Sequence, residues 1–378
     1  MAKLVLTAEN FAFGPIAKLL FVADLLVGHG HRLVFAGFGT SLQLAKNFPF
    51  DEIHEIDTDN PESKEELENI ISKADMVISV MDLNSVIVAK RLKKPVVWID
   101  CLFWFWESIF EPVLDVDLYV RELSMEDSSN EIKFGSKIKN LFNVGPILGK
   151  MTRTKRVRQA LVSYGGGEAA RWYRVGHDTN YPYLLTKILS EYVDWSYFDQ
   201  VIVATGEHIV RELKERFLDA SFKFMCLPHD RFIKELLQSE ILLTTAGLVT
   251  AESAFEAETP VLFLPSSNNS HYILLDELRE RGLAPASVDL SDYMNKLNLR
   301  DKEEAKSIAE VMKQLRELEK SEDIQKDIGK RINEFLQNRN KWAGDSVIKG
   351  KEFMTSLGGN GAKTVADKIE QMIEEKRL

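Results

Sequence analysis

The sequence predicts an α/β protein built from two doubly wound domains. Three observations carry this. The first half alternates short apolar runs with stretches of helical spacing. A glycine- and proline-marked segment, Asn143-Val144-Gly145-Pro146-Ile147-Leu148, then runs into the basic stretch Lys150–Arg158, and the same alternation begins again. At 378 residues the chain also exceeds the size at which a single core stops growing. The domain bounds expected are 1–149 and 150–378, the final helices packing back toward the first domain.

Each element follows in order. Lys3–Ala8 is a short apolar run of the kind buried on both faces of a parallel sheet. Gly14–Val27 carries apolar residues at helical spacing, and Arg32–Gly37 and Glu52–Ile56 read as strands. Pro61–Lys73 opens on proline and is rich in Glu and Lys, which predicts a helix. Met76–Val80, a helix over Asn84–Leu92 and Pro95–Ile99 continue the pattern. In the second half Val157–Ser163, Val201–Ala204, Phe222–Cys226, Ile241–Thr244 and Val261–Leu264 are the expected strands. From Asp301 onward the chain is charged with one apolar stripe (Ala305, Ile308, Val311, Met312, Leu315, Leu318), the pattern of surface helices.

Composition narrows the function classes. Apolar residues make up 45% and charged residues 28%, ordinary for a soluble protein. A formal charge of −10, from 48 basic and 58 acidic side chains, argues against nucleic acid as a partner. It leaves open a small phosphorylated ligand, which backbone N–H groups hold without net positive charge. Cys101 and Cys226 stand far apart in apolar context, so a reducing compartment is expected and a disulfide framework is not. No signal peptide and no transmembrane segment are read, and a cytoplasmic location is expected. The seven histidines show no metal-ligand spacing, so no metal site is expected.

In open α/β sheets ligands sit beyond the carboxyl ends of the strands, so chemistry is sought just after each one. Val162-Ser163-Tyr164-Gly165-Gly166-Gly167-Glu168 puts three glycines directly after a strand, where backbone can approach an anion; a tight turn would use glycine too. Thr244-Thr245-Ala246-Gly247-Leu248-Val249-Thr250-Ala251-Glu252-Ser253 ends a strand in small residues and opens a helix, whose free N–H groups suit a diphosphate. Thr250 or Ser253 could equally be plain capping residues. Thr259-Pro260-Val261-Leu262-Phe263-Leu264-Pro265 follows.

In this order the chain resembles the GT-B superfamily of nucleotide-sugar-dependent glycosyltransferases, two Rossmann-like domains facing across a cleft, and within it the UDP-glycosyltransferases. Gly30-His31-Arg32-Leu33-Val34 looks like the family's GHxV element, Gly145-Pro146 like its linker, and Gly165–Gly167 like its diphosphate loop. Leu227-Pro228-His229 sits where the family presents main chain to the nucleobase, and Gly247 and Thr250 match its donor helix. Two positions depart. The family's ribose-binding glutamate falls on Ser253, with Glu252 one place early, and its sugar-reading Asp-Gln pair falls on Ser270-His271. The second departure suggests a donor other than UDP-glucose, such as an acidic sugar; alternatively, Glu252 reaches the ribose after a small local shift. Thr205, Thr245 and Asn269, beyond other strand ends, complete the expected donor site.

The family places a catalytic histidine after its first strand. The loop Thr7–Pro15 contains none, and Glu9 is the nearest group able to accept a proton, with Asp100, at the end of a later strand, as its rival, or as a group that orients or binds the acceptor. Asn10, Phe13, Gly14, Phe103, Trp104 and Trp106 are the expected acceptor contacts; the aromatic run Leu102–Trp106 could instead be core packing. Together these segments are similar to glycosyltransferases of nucleoside-antibiotic pathways that join glucuronic acid to cytosine. His29 and His31, at the N-terminal end of a strand, read as structural. An insertion with Arg171, Arg174, His177 and Asp178 could cover the site or be surface decoration.

The resemblance implies metal-independent, inverting sugar transfer from a nucleoside diphosphate, UDP by preference, to a small acceptor such as a nucleobase or nucleoside. The nucleotide-sugar is a substrate, and no cofactor is expected. An epimerase of the same fold and a non-catalytic nucleotide-sugar-binding protein are the alternatives.

Overall fold

A computed structural model describes residues 1–124, 128–152, 154–167, 180–300 and 302–376. The chain divides into two compact units, Met1–Lys150 with Met354–Leu378, and Met151–Phe353.

The first unit is built on a seven-stranded sheet, all of whose pairings are parallel. Its strands are β1 (Lys3–Ala8), β2 (Arg32–Gly37), β3 (Glu52–Glu55), β4 (Met76–Val80), β5 (Val96–Asp100), β6 (Leu118–Glu122) and β7 (Leu141–Val144), in the order β3-β2-β1-β4-β5-β6-β7. The order reverses between β1 and β4, and that is the switch point where such sheets take ligands. Helices α1 (Gly14–Val27), α2 (Gly39–Ala45), α3 (Lys64–Ser72), α4 (Leu83–Arg91) and α5 (Ser128–Phe134) belong to this unit. Pro61–Ser63, expected as helix, is a short 3-10 turn that Asn60 caps through the N–H of Glu62.

Helix α1 buries every residue from Pro15 to Ala23, including Lys18. That ammonium pairs with Glu122 at the end of β6, both side chains 0% exposed, and the same Glu122 oxygen accepts from the N–H of Ile147 at 2.6 Å. A buried charge is tolerated only when so paired. The first unit also includes the last part of the chain. Asn360 accepts from the N–H of Leu148 and donates to its carbonyl, at 3.2 and 2.8 Å. A Cβ on Gly145 would stand 2.0 Å from the carbonyl oxygen of Gly359, so only glycine permits this approach. His31 accepts from the N–H of Ala2 at 3.2 Å and meets Glu370 at 2.9 Å, so it serves structure.

The second unit has a five-stranded parallel sheet of β8 (Val157–Gly165), β9 (Gln200–Thr205), β10 (Phe222–Met225), β11 (Ser239–Thr244) and β12 (Val261–Phe263). Its order is β10-β9-β8-β11-β12, so its switch point lies between β8 and β11. The helices are α6 (Tyr181–Tyr192), α7 (Glu207–Arg216), α8 (His229–Gln238), α9 (Leu248–Glu256), α10 (Asn269–Glu280), α11 (Glu304–Lys320), α12 (Glu322–Gln337) and α13 (Arg339–Ser356). On α11 the expected stripe of Ile308, Val311, Met312, Leu315 and Leu318 is buried. A last helix, α14 (Ala362–Lys376), lies in the first unit and buries Val365, Ala366, Ile369 and Ile373. Among the described residues, no helix is long and apolar enough to cross a membrane.

Candidate functional site

In the second unit, strand β8 ends on Gly165 with φ +64°, and Gly167 follows with φ +66°. Both values lie in the left-handed region, where a side chain is strained, which explains the glycines in physical terms. Thr205, closing β9, is 2% exposed, and its Oγ1 has no hydrogen-bond partner among the described residues. That oxygen lies 3.5 Å from where a Cβ on Gly167 would stand, so a buried hydroxyl adjoins the glycine loop. Across the switch point, Thr244 Oγ1 donates to the carbonyl of Ser163 at 3.0 Å and ties the end of β11 to β8.

Helix α9 begins directly after. Its N-cap is Gly247, with φ −78°, and among the described residues no side chain caps it. Thr250 sits half-exposed in the first turn and does not act as the cap, whereas Glu252 and Ser253 are buried further along. The carbonyl of buried Thr245 accepts from the N–H of Gly247 at 2.7 Å. The result is a helix start whose first-turn N–H groups face outward beside a glycine loop.

Helix α10 contributes the third side of this face. Asn268 caps it, accepting from the N–H of His271 at 2.9 Å and from Ser270 Oγ at 2.8 Å. Buried Asn269 is its first residue. His271 Nδ1 lies 2.9 Å from Ser267 Oγ and 3.3 Å from Asn268 Nδ2, while its Nε2 lies 3.5 Å from where a Cβ on Gly247 would stand. Gly247 and His271, far apart in the motif pattern, therefore meet. Ser270 instead supports the cap. Pro228 is the N-cap of α8, and His229 follows it, its imidazole pushed down to about 4 by burial and hence neutral near pH 7. Glu168, Arg171, Arg174, His177 and Asp178 lie outside the described residues.

In the first unit, the N–H of Glu9 donates to the carbonyl of Val80 at 3.0 Å, which stitches the loop after β1 to the end of β4 at the switch point. Glu9 is half-buried there, as are Asn10, Phe13 and Gly14. Asn10 Oδ1 accepts from both the N–H and the hydroxyl of Thr40 at 2.9 Å, so this carbonyl braces α2.

Asp100 is 1% exposed and accepts from Leu102 N–H at 2.9 Å, from the Trp106 indole and from the Tyr119 hydroxyl at 2.5 Å. Burial raises its carboxyl to about 6 against these donors. So enclosed, it positions Trp106. Phe103 is fully buried against Tyr119 and Phe134, with the Arg121 guanidinium 4.7 Å from its ring centre. Its place is in the core, the packing alternative for the aromatic run. Trp104 and Trp106 are half-buried and closer to the surface.

One carboxylate escaped the sequence reading. Asp82, just beyond β4, is buried and caps α4 through Ser85, accepting from its N–H at 3.3 Å and its hydroxyl at 2.6 Å; burial raises its carboxyl. The signal was present as an Asp three residues before a Ser at a strand end.

No protein-family model and no curated protein matches the chain. Among solved structures it is similar to spinosyn forosaminyltransferase SpnP, at a TM-score of 0.55 and 13% identity over 99% of each chain. It is also similar to MurG of Acinetobacter baumannii, at a TM-score of 0.52 and 13% identity over 98% of this chain and 99% of that one. The glycotransferase of kitacinnamycin aligns at a TM-score of 0.50 and 11% identity over 98% and 99%. These likenesses establish the GT-B fold.

Proposed function

We propose that the chain is a glycosyltransferase that moves a sugar from a nucleoside diphosphate, UDP by preference, to a small-molecule acceptor. One observation carries this reading: at the switch point of the second sheet, the bare start of α9 stands beside a loop with two left-handed glycines. Helix starts of this kind hold phosphate oxygens on backbone N–H groups, and their dipole favours the charge a departing diphosphate develops. The GT-B likenesses support sugar transfer as the reaction class, and no metal or cofactor is invoked.

In the proposed reaction the acceptor's O–H or N–H gives its proton to Glu9. The acceptor atom bonds the anomeric carbon as the bond from that carbon to the phosphate oxygen breaks, and the nucleoside diphosphate leaves. A single displacement inverts the anomeric centre. Glu9 is favoured over Asp100 because it is half-buried at a loop, whereas Asp100 is enclosed by its donors.

Melting curves of the whole protein with UDP-, dTDP- and GDP-sugars test the donor assignment. A rise in melting temperature with at least one of them is expected; stabilisation by NAD alone would overturn it. Release of free nucleoside diphosphate that depends on added acceptor separates transfer from epimerisation.

A further inference from the structure

Resting on the assignment of Glu9 as proton acceptor, we propose that Asn10 is a positioning residue for Glu9 and not a contact of the acceptor substrate. The start of α2 grips its side chain and so fixes the loop that carries Glu9. Helix α2 has no side-chain cap of its own, since its N-cap is Phe38. Thr40, the second helical residue, instead gives its N–H to Asn10 Oδ1 at 2.9 Å, the bond that an N-cap side chain ordinarily accepts. The Thr40 hydroxyl donates to the same oxygen at 2.9 Å. A backbone N–H only donates, so the amide atom facing it is the oxygen, and both its lone pairs are occupied. Thr40 and its neighbour Ser41 are buried, so this anchor belongs to the core. Gly39 completes the fit. Its φ is +59°, and a Cβ there would stand 2.4 Å from Asn10 Nδ2 and 2.5 Å from Oδ1, so glycine alone leaves room for the amide.

The gripped loop is strained. Ala12 has φ +48°, in the left-handed region that residues with a side chain avoid. Such a conformation persists where the surroundings impose it, and it clusters at functional sites. The N–H of Phe11 donates to the carbonyl of Glu9 at 2.9 Å, a three-residue turn centred on Asn10, and the N–H of Glu9 donates to Val80 at 3.0 Å. The backbone of Glu9 is therefore tied on one side to β4 and on the other to the turn, while the next side chain is tied to α2. Misplacing a reacting group by about 1 Å slows a reaction on the order of a hundredfold, which gives this fixation a use.

The test follows release of nucleoside diphosphate from UDP-glucose, UDP-glucuronate, dTDP-glucose and GDP-mannose, each with cytosine or uridine as added acceptor. The whole protein is compared as wild type, Asn10→Ala, Asn10→Asp, Glu9→Gln and the double variant Asn10→Ala with Glu9→Gln. Asn10→Ala should lower kcat about ten- to a hundredfold while the acceptor KM stays within about twofold. Asn10→Asp keeps an oxygen for Thr40 and should recover most of the rate. Once Glu9 is replaced, Asn10→Ala should change kcat by less than about twofold, because a group acting through Glu9 has nothing left to place. An unchanged kcat, a raised acceptor KM with kcat intact, or losses that multiply in the double variant would each overturn the positioning role and leave Glu9 as the base. Full activity of Glu9→Gln overturns the base assignment and this inference with it, as does wild type that turns over none of these pairs. Melting temperatures check each fold. Should Asn10→Ala unfold, Thr40→Val replaces it in both backgrounds, with a loss of about three- to tenfold expected for one neutral hydrogen bond.

Discussion

The single indole N–H of Trp106 points between both carboxylate oxygens of Asp100, at 3.0 and 2.9 Å. With Tyr119 and Leu102 on the same group, Asp100 is a buried clasp for the loop after β5. Burial raises its carboxyl from 3.8 to about 6, so the folded protein holds this proton more tightly than the unfolded chain. The sign follows: the contribution is favourable at low pH and is lost as pH rises through that window. Relative to Asp100→Asn, which cannot ionise, wild type should lose on the order of 2–3 kcal/mol between pH 4 and pH 7. Urea unfolding of both proteins across that range measures it, and a flat difference would refute the clasp's titration.

Glu9 carries the proton-accepting role in the proposed reaction. Glu9→Gln should lower kcat about 10²- to 10³-fold while donor affinity stays unchanged. Full activity in a folded Glu9→Gln protein would remove the residue from the mechanism.

Gly247 offers a way to fill the donor site without disturbing the fold. With φ −78° and only an ordinary contact ahead of its Cβ, Gly247→Ala should melt close to wild type, since the cap change costs only about 1 kcal/mol. Its methyl group occupies the helix start, so nucleotide affinity should fall at least about tenfold, the loss of one charge-assisted hydrogen bond. Equal affinity, read by calorimetry, would displace the diphosphate from α9.

Lys18 and Glu122 form a pair with no exposure on either side. Lys18→Met alone leaves a buried carboxylate and should cost about 3–5 kcal/mol. Adding Glu122→Gln, which keeps an acceptor for the Ile147 N–H, should recover most of that. Denaturant unfolding of the two variants decides; additive losses would contradict the pairing.

These residues also show what a sequence conveys. The strands β1, β2 and β4 were legible because a parallel strand covered on both faces is a nearly continuous apolar run. Strand β6, Leu118-Tyr119-Val120-Arg121-Glu122, was not read, because its last two residues look like a solvated end while both are buried. Burial of a charge depends on a partner far away in sequence, here Lys18, 104 residues distant, and local pattern holds no trace of it. The same applies to the donor site. The glycine loop and helix start were visible because their chemistry is local to backbone, whereas the meeting of His271 with Gly247 depends on how two helix starts fall after neighbouring strands. Asp100 read as a reactive carboxylate from its place at a strand end; its enclosure by Trp106 and Tyr119 is a tertiary fact.

The close fit of Gly145 against Gly359, and of Asn360 against Leu148, has a temporal consequence. The first unit takes α14 from beyond the second unit in the chain, so its seven-stranded sheet is completed only after the whole of the second unit has been synthesised. The second unit is one uninterrupted segment and can close before α14 is made. Of the two units, the one whose sheet is translated earlier is thus completed later, and the interval is set by the length of its neighbour.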